Sequence, residues 1–269
     1  MQLYTEVIGT GYPVVFLHGL ALDMTSMQAW YEPLLAQQPI QRIYLDLPGM
    51  GKSPAVPLAQ ANSDAILAGV QATIQALIGH TNYAVVGHSY GGYLALGLAY
   101  QDSHVSQLFT TCPAFTAVSD QRILAQHDTE SHGSINYQTN LNKVPAYEQM
   151  SVILSPQTWQ AYQQQILPGI ARCDVAFIHQ LQRAHSAYYR FSFEPELQAA
   201  TLSQPQTMLL GRADNQVGYQ EQLAYLQRQP QSTVGVFKRA GHNLPLDQPD
   251  LLAAYFKEFV TTLTERMIG

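Results

Sequence analysis

Cysteine is nearly absent from this 269-residue chain, with Cys112 and Cys173 the two it has. Two distant cysteines make no disulfide framework and no metal-ligand spacing, so neither a stapled secreted domain nor a structural metal centre is expected. Charge is scarce too. Lys, Arg, Asp and Glu together make 12% of the residues, and the 13 basic ones form no run. Nucleic acid is held through clustered basic groups, so a formal net charge of -6 argues against it as a partner. No apolar run approaches the roughly 20 residues that cross a bilayer, so no membrane partner is expected either. The opening residues, Met1-Gln2-Leu3-Tyr4-Thr5-Glu6, lack the basic region and apolar stretch of a signal peptide. A reduced, cytoplasmic protein is the simplest reading.

Hydrophobic residues are plentiful, at 46%, and they are patterned. Pro13-Val14-Val15-Phe16-Leu17, Ile43-Tyr44-Leu45, Tyr83-Ala84-Val85-Val86-Gly87 and Val105 to Thr111 are short continuous apolar runs, as in strands buried on both faces. Ser63 to Ile78 carries apolar residues at helical spacing, with Ser63 as its expected cap, and Gly92 to Tyr100 reads as a second helix. This alternation predicts an α/β fold: a mostly parallel sheet flanked by helices. From Pro113 to Gln204 the alternation stops. That stretch shows helical patches at Gln157 to Leu167 and Cys173 to Tyr188, with no strands expected between them. Strand and helix then alternate again over Thr207 to Gly211, Tyr219 to Leu226, Thr233 to Phe237 and Asp250 to Leu263. The expected organisation is a core of residues 1–112 and 205–269 with an inserted helical segment, 113–204.

Gly87-His88-Ser89-Tyr90-Gly91 fits G-x-S-x-G and lies between an apolar strand and a helix, the setting that makes the pattern informative. A tight strand-to-helix turn holds the serine in a strained conformation, and the helix start presents free N–H groups to developing negative charge. Ser89 is therefore the candidate nucleophile. A serine hydroxyl needs a base to take its proton, and nine histidines compete for that role. His242 follows the last strand and precedes the last helix, where strand-end loops of a parallel sheet converge on one crevice. His18 and His88 read as structural. His127, His132, His179 and His185 fall in the insertion, where exposure or substrate contact is the default reading. Asp214, just beyond the Thr207–Gly211 strand, is the candidate acid that orients His242 and stabilises its charged form. A helix cap is the competing role for Asp214, and its position decides between them. The order Ser89, Asp214, His242 is the one that accompanies such an elbow. Backbone N–H groups of Tyr90 and Leu20 are the candidate oxyanion donors. Asp23 either touches the pocket or caps a turn. Gly51-Lys52-Ser53 lacks the first glycine of a phosphate loop, since position 46 is aspartate.

Taken together, Phe16-Leu17-His18-Gly19, Asp46 to Ser53, Gly87 to Gly92, Gly211-Arg212-Ala213-Asp214 and Ala240-Gly241-His242 resemble the α/β-hydrolase superfamily. The resemblance spans the chain except the insertion. It implies that residues 113–204 form a helical cap and that no metal or organic cofactor is needed. The chain starts almost at its first strand, so an early strand of the family sheet is expected to be missing or shortened. Members with an aspartate nucleophile fit poorly, because position 89 is serine. The expected activity is hydrolysis of a carboxylic ester with a small or medium acyl group, with an ester or amide small molecule as partner and oligomeric state left open. Trp159, Phe177 and Tyr188 are candidate pocket residues, together with Tyr189 and Phe191, with packing under the cap the competing role. A carbon–carbon hydrolase or a proline iminopeptidase-like enzyme would use the same three residues. The latter would recognise an amine through acids such as Glu130, Glu148, Glu194 and Glu196, but tryptophan is usual there where this elbow has Tyr90. A ligand-binding or signalling protein on a hydrolase scaffold is the reading from another class, since fold alone never guarantees activity.

Overall fold

A computed structural model describes residues 3–183 and 188–268. In chain order its elements begin β1 (Thr5–Ile8), β2 (Tyr12–Leu17), α1 (Met24–Leu35), β3 (Ile40–Leu45), α2 (Ser63–Ile78), β4 (Tyr83–His88), α3 (Tyr90–Gln101) and β5 (Val105–Thr111). The segment after β5 carries β6 (Glu130–Ser131), α4 (Val144–Met150), β7 (Ile153–Leu154), α5 (Pro156–Gln165), α6 (Leu167–Ala171), α7 (Val175–Leu181) and α8 (Glu194–Ala199). The chain closes with β8 (Gln206–Gly211), α9 (Gln220–Leu226), β9 (Ser232–Phe237), α10 (Leu244–Asp247) and α11 (Pro249–Ile268).

The main sheet has seven strands in the order β1-β3-β2-β4-β5-β8-β9, with β1 antiparallel to β3 and every other pairing parallel. The central strands are buried on both faces, which is why they read as unbroken apolar runs. Neighbouring β2 and β4 carry the chain away in opposite directions, so a crevice opens beyond their carboxyl ends. Below the sheet, Phe16, Tyr31, Phe109, Phe256 and Phe259 pack ring against ring, joining α1 and α11 to the strands. Among the described residues no helix is long and apolar enough to cross a membrane.

Several local expectations change. Helix α1 is absent from the sequence expectations, because Pro33 lies inside it, yet Met27, Trp30, Tyr31 and Leu35 fall on one buried face at helical spacing. Helix α2 is capped by Asn62, whose side chain accepts from the Ala65 N–H, and not by Ser63. Ser63 is buried instead, bonding the Tyr90 hydroxyl at 2.9 Å and donating to the Tyr189 carbonyl at 2.8 Å. The insertion holds a short parallel pair, β6 with β7, where no strand was expected, because two-residue strands leave no periodic signal. Of the expected Cys173–Tyr188 helix, α7 ends at Leu181, and residues 184–187, His185 among them, lie outside the described residues.

Candidate active site

Strand β4 runs into α3 through Ser89 alone. Its backbone sits at φ 52°, ψ -115°, a left-handed conformation that costs a residue with a Cβ on the order of 1–3 kcal/mol. Surrounding bonds hold it there. The Ser89 N–H donates to Thr111 O at 3.0 Å, and its carbonyl accepts from Tyr93 at 3.1 Å and Ala114 at 3.0 Å. The two glycines of the motif have a steric cause: a Cβ on Gly91 would collide with the Leu17 carbonyl oxygen, and one on Gly87 with that of Gly91.

Three strand-end loops bring Ser89, His242 and Asp214 together. Ser89 Oγ lies 2.9 Å from His242 Nε2, and His242 Nδ1 lies 2.8 Å from Asp214 Oδ2. Asp214 Oδ1 accepts from the amides of Gln216 at 2.8 Å and Val217 at 3.0 Å, so Asp214 does cap the following turn while its second oxygen faces His242. Burial works against the ionised carboxylate. The His242 charge and hydrogen bond and the Val217 and Gln216 amides outweigh it, holding Asp214 below the usual carboxylate range.

The other two histidines beside the serine are locked. His18 meets the Gly19 carbonyl through Nδ1 at 2.8 Å and accepts the Leu47 N–H on Nε2 at 2.9 Å. A carbonyl can only accept and an amide only donate, so this ring carries its proton on Nδ1 and ties the loop after β2 to the loop after β3. Burial lowers its basicity. His88 faces Thr111 Oγ1 at 2.9 Å, and burial with the neighbouring His242 pushes it down to about 3, leaving it neutral. In the insertion, His127 bridges the carbonyls of Ala213 and Glu148, His132 lies against Glu130 and Arg239, and His179 is exposed. None of these three lines the cavity over Ser89.

That cavity is about 180 Å³. Leu20 lines it with Gly19 and Ala21, and Tyr90 is the first residue of α3, whose N–H has no acceptor within the helix. The candidate oxyanion donors thus flank the serine. Candidate pocket residues fare differently. Trp159 is buried against Tyr137, Tyr147 and Tyr162, Phe177 packs over the Gly49 turn, and neither reaches the cavity. Tyr188 is half-buried against the core and is not in the cavity wall either. Their place is taken by Tyr162, Ile166, Arg122 and Tyr189, of which only Tyr189 is a candidate from the sequence. Large rings in the insertion suit a pocket by size, whereas burial sends most of them into packing. Asp23 caps α1 through Thr25 and pairs with Arg172, away from the cavity wall. Of the candidate amine-binding acids, Glu130 pairs with Arg239, Glu148 accepts from Tyr137, Glu194 is buried beside Tyr93 and Glu196 is exposed; none lines the cavity.

Among the described residues, metal-ligating atoms gather within 4.8 Å at Cys112, Asp214 and His242. Burial pushes the Cys112 thiol well above its usual range, and Asp214 and His242 are committed to each other. This donor set suits a hydrogen-bonded relay better than a cation.

Comparison with known proteins agrees with the fold. The model of the alpha/beta hydrolase family matches residues 14–255. An alpha/beta superfamily hydrolase from Oenococcus oeni PSU-1 is 36% identical over 98% of this chain and 100% of its own, with a TM-score of 0.91. The esterase EaEST from Exiguobacterium antarcticum shares the fold at 21% identity, with a TM-score of 0.72 over 96% of this chain and 95% of its own. A soluble epoxide hydrolase from Corynebacterium sp. (strain C12) is 35% identical over 114 residues, which are 40% of this chain and 37% of that enzyme. The match therefore spans well under half of that enzyme's length. With the family model covering most of the chain and the Oenococcus hydrolase similar from end to end, this chain belongs to the alpha/beta hydrolase family.

Proposed function

We propose that the chain is a serine hydrolase that cleaves carboxylic esters with a small or medium acyl group through an acyl-enzyme. One observation carries the reading: a strained serine, 2.9 Å from an imidazole that is itself 2.8 Å from a buried carboxylate. Ser89 Oγ attacks the ester carbonyl while His242 Nε2 takes its proton. Negative charge on the former carbonyl oxygen is met by the N–H groups of Tyr90 and Leu20, and Asp214 stabilises the imidazolium. The tetrahedral species collapses, the C–O bond to the leaving alcohol breaks, and His242 returns the proton to that alcohol. Water then attacks the acyl-enzyme by the same route, releasing the acid and restoring Ser89.

The epoxide hydrolase likeness does not carry over as an activity. An epoxide offers no carbonyl for a serine to acylate, and position 89 is serine, not a carboxylate. Residues 113–204 act as the cap on this reading, since Tyr162 and Tyr189 roof the cavity from that segment. The two free cysteines, one fully buried, fit a reducing cytoplasm. No part of the mechanism draws on a cofactor. Intact-mass analysis after fluorophosphonate treatment tests the proposal: one adduct is expected on the wild type and none on Ser89→Ala. Absence of an adduct on folded wild type would defeat the reading and favour a ligand-binding role.

A further inference from the structure

Arg122 is the one cationic side chain in the wall of the Ser89 cavity among the described residues. Its setting is unusual for an arginine. Nε donates to the Thr116 carbonyl at 2.8 Å, Nη1 to Gln216 at 2.9 Å and Nη2 to Ala117 at 2.8 Å. The head lies beside the Tyr189 ring, 5.7 Å from its centroid. Of the five N–H groups of the guanidinium, three fix the orientation of the fork, and the Tyr189 hydroxyl lies beside it as a further hydrogen-bond partner. Carbonyl oxygens satisfy hydrogen bonds without cancelling charge. Among the described residues Arg122 forms no ion pair, and the carboxylate that feels its charge, Glu194, is committed elsewhere. Glu194 accepts from the Tyr93 hydroxyl at 2.6 Å and the Ala117 amide at 3.0 Å, and it pairs with Arg190 at 3.3 Å.

A half-buried guanidinium fixed by neutral carbonyls, with Glu194 engaged by Tyr93 and Arg190, keeps its positive charge available to an anion in the cavity. A carboxylate is the natural complement of such a group, since it brings acceptor oxygens together with the opposite charge. We propose that Arg122 is a specificity-determining residue that binds a carboxylate on the substrate, which is a half-ester of a short dicarboxylic acid. The inference rests on the serine-hydrolase reading and names the substrate class for that site. Cavity volume agrees: about 180 Å³ suits a short acyl chain. Gln182 and Asn243 stand in the same wall, Asn243 with its amide donating to Ser151 Oγ at 2.9 Å.

A second role for Arg122 is mechanical, since its three bonds tie residues 116–117 to the loop after β8. The test separates the two. Wild type, Arg122→Lys and Arg122→Gln are compared on monomethyl glutarate and methyl pentanoate, which share an acyl length and differ in the terminal charge. Wild type is expected to show a kcat/KM about 10- to 100-fold higher on the half-ester, the span of one charge-assisted hydrogen-bonded contact. That ratio should fall to near one in Arg122→Gln and be partly kept in Arg122→Lys. Equal rates on the two esters in wild type would overturn the proposal, as would an Arg122→Gln variant that loses both activities in proportion. Calorimetric binding of glutarate to wild type, weakened at least tenfold in Arg122→Gln of unchanged circular dichroism, supplies a readout independent of turnover. Failure of fluorophosphonate labelling would sink the serine-hydrolase reading alone, and the glutarate titration would still decide the role of Arg122.

Discussion

The two walls of the cavity are built by different means. Ser89, Asp214 and His242 stand on loops that leave the sheet at the ends of β4, β8 and β9, and backbone groups hold them. Ser89 alone has its N–H and carbonyl bound to Thr111, Tyr93 and Ala114. The rings of Tyr162 and Tyr189 in the facing wall are placed by side-chain packing, with the Tyr189 carbonyl also accepting from Ser63 at 2.8 Å. Tyr189 stacks on Tyr90 at 4.9 Å, and Tyr162 lies 5.7 Å from Trp159 and 5.2 Å from Tyr147. Backbone-held groups keep their geometry when one side chain changes, whereas a packed wall shares every perturbation among its rings. Mutations on the sheet side should therefore remove chemistry and spare the fold. Those in the insertion should cost stability and alter which molecules enter.

The largest expected effect is that of Ser89→Ala, a loss of ester turnover of about 10⁶-fold with a thermal midpoint close to wild type. A midpoint lowered by ten degrees would show that the serine is part of the packing and break the comparison. Asp214→Asn keeps a group able to accept the Gln216 and Val217 amides but loses the charge facing His242. Turnover should fall about 10⁴-fold, read as kcat with KM little changed.

On the other wall, Trp159→Ala should destabilise the protein by about 3–5 kcal/mol, measured by urea unfolding, because a buried ring among Tyr137, Tyr147 and Tyr162 leaves a cavity. Below its midpoint the variant should still label at Ser89. Loss of labelling at full stability would show that the walls are not independent.

The same contrast explains what could be read from sequence. Strand runs such as Val14 to Leu17, the glycines around Ser89 and the strand-end positions of Asp214 and His242 are local patterns tied to local geometry. Asn62 displaced Ser63 as the cap of α2 because Ser63 is needed by Tyr90 and Tyr189, the latter 126 residues away in the chain. Arg122 gave no signal for a similar reason. Its partners Thr116 and Ala117 are near, but Gln216, 94 residues on, and the Tyr189 ring join it through the fold. Trp159 and Phe177 have the composition of pocket residues, and packing, which is non-local, decided otherwise.

A smaller effect sharpens the comparison where the walls meet. Asp247 in α10 accepts the N–H groups of Gly241 at 2.8 Å, Val152 at 3.0 Å and Ile153 at 2.9 Å, linking the residue before His242 to the insertion. Asp214 has an imidazole to answer its charge; Asp247 has chiefly amides, with His127 a weak influence. Burial dominates at Asp247, and although the Gly241, Val152 and Ile153 amides oppose it, the carboxyl is pushed up to about 6. The two carboxylates then respond to pH with opposite sign. The stability Asp214 contributes is present above its unfolded value, near 3.9, and is lost as pH falls through its lower folded value. What Asp247 contributes is fully present below about 3.9 and is lost as pH rises through about 6. Asp247→Asn removes that titration and leaves a constant offset. Between pH 4 and 7, the unfolding free energy of wild type relative to Asp247→Asn should therefore fall, by on the order of 2–3 kcal/mol. A flat difference across that range would mean that the three amides compensate the buried charge in full. The link between the walls would then be as well satisfied as the pair at Asp214.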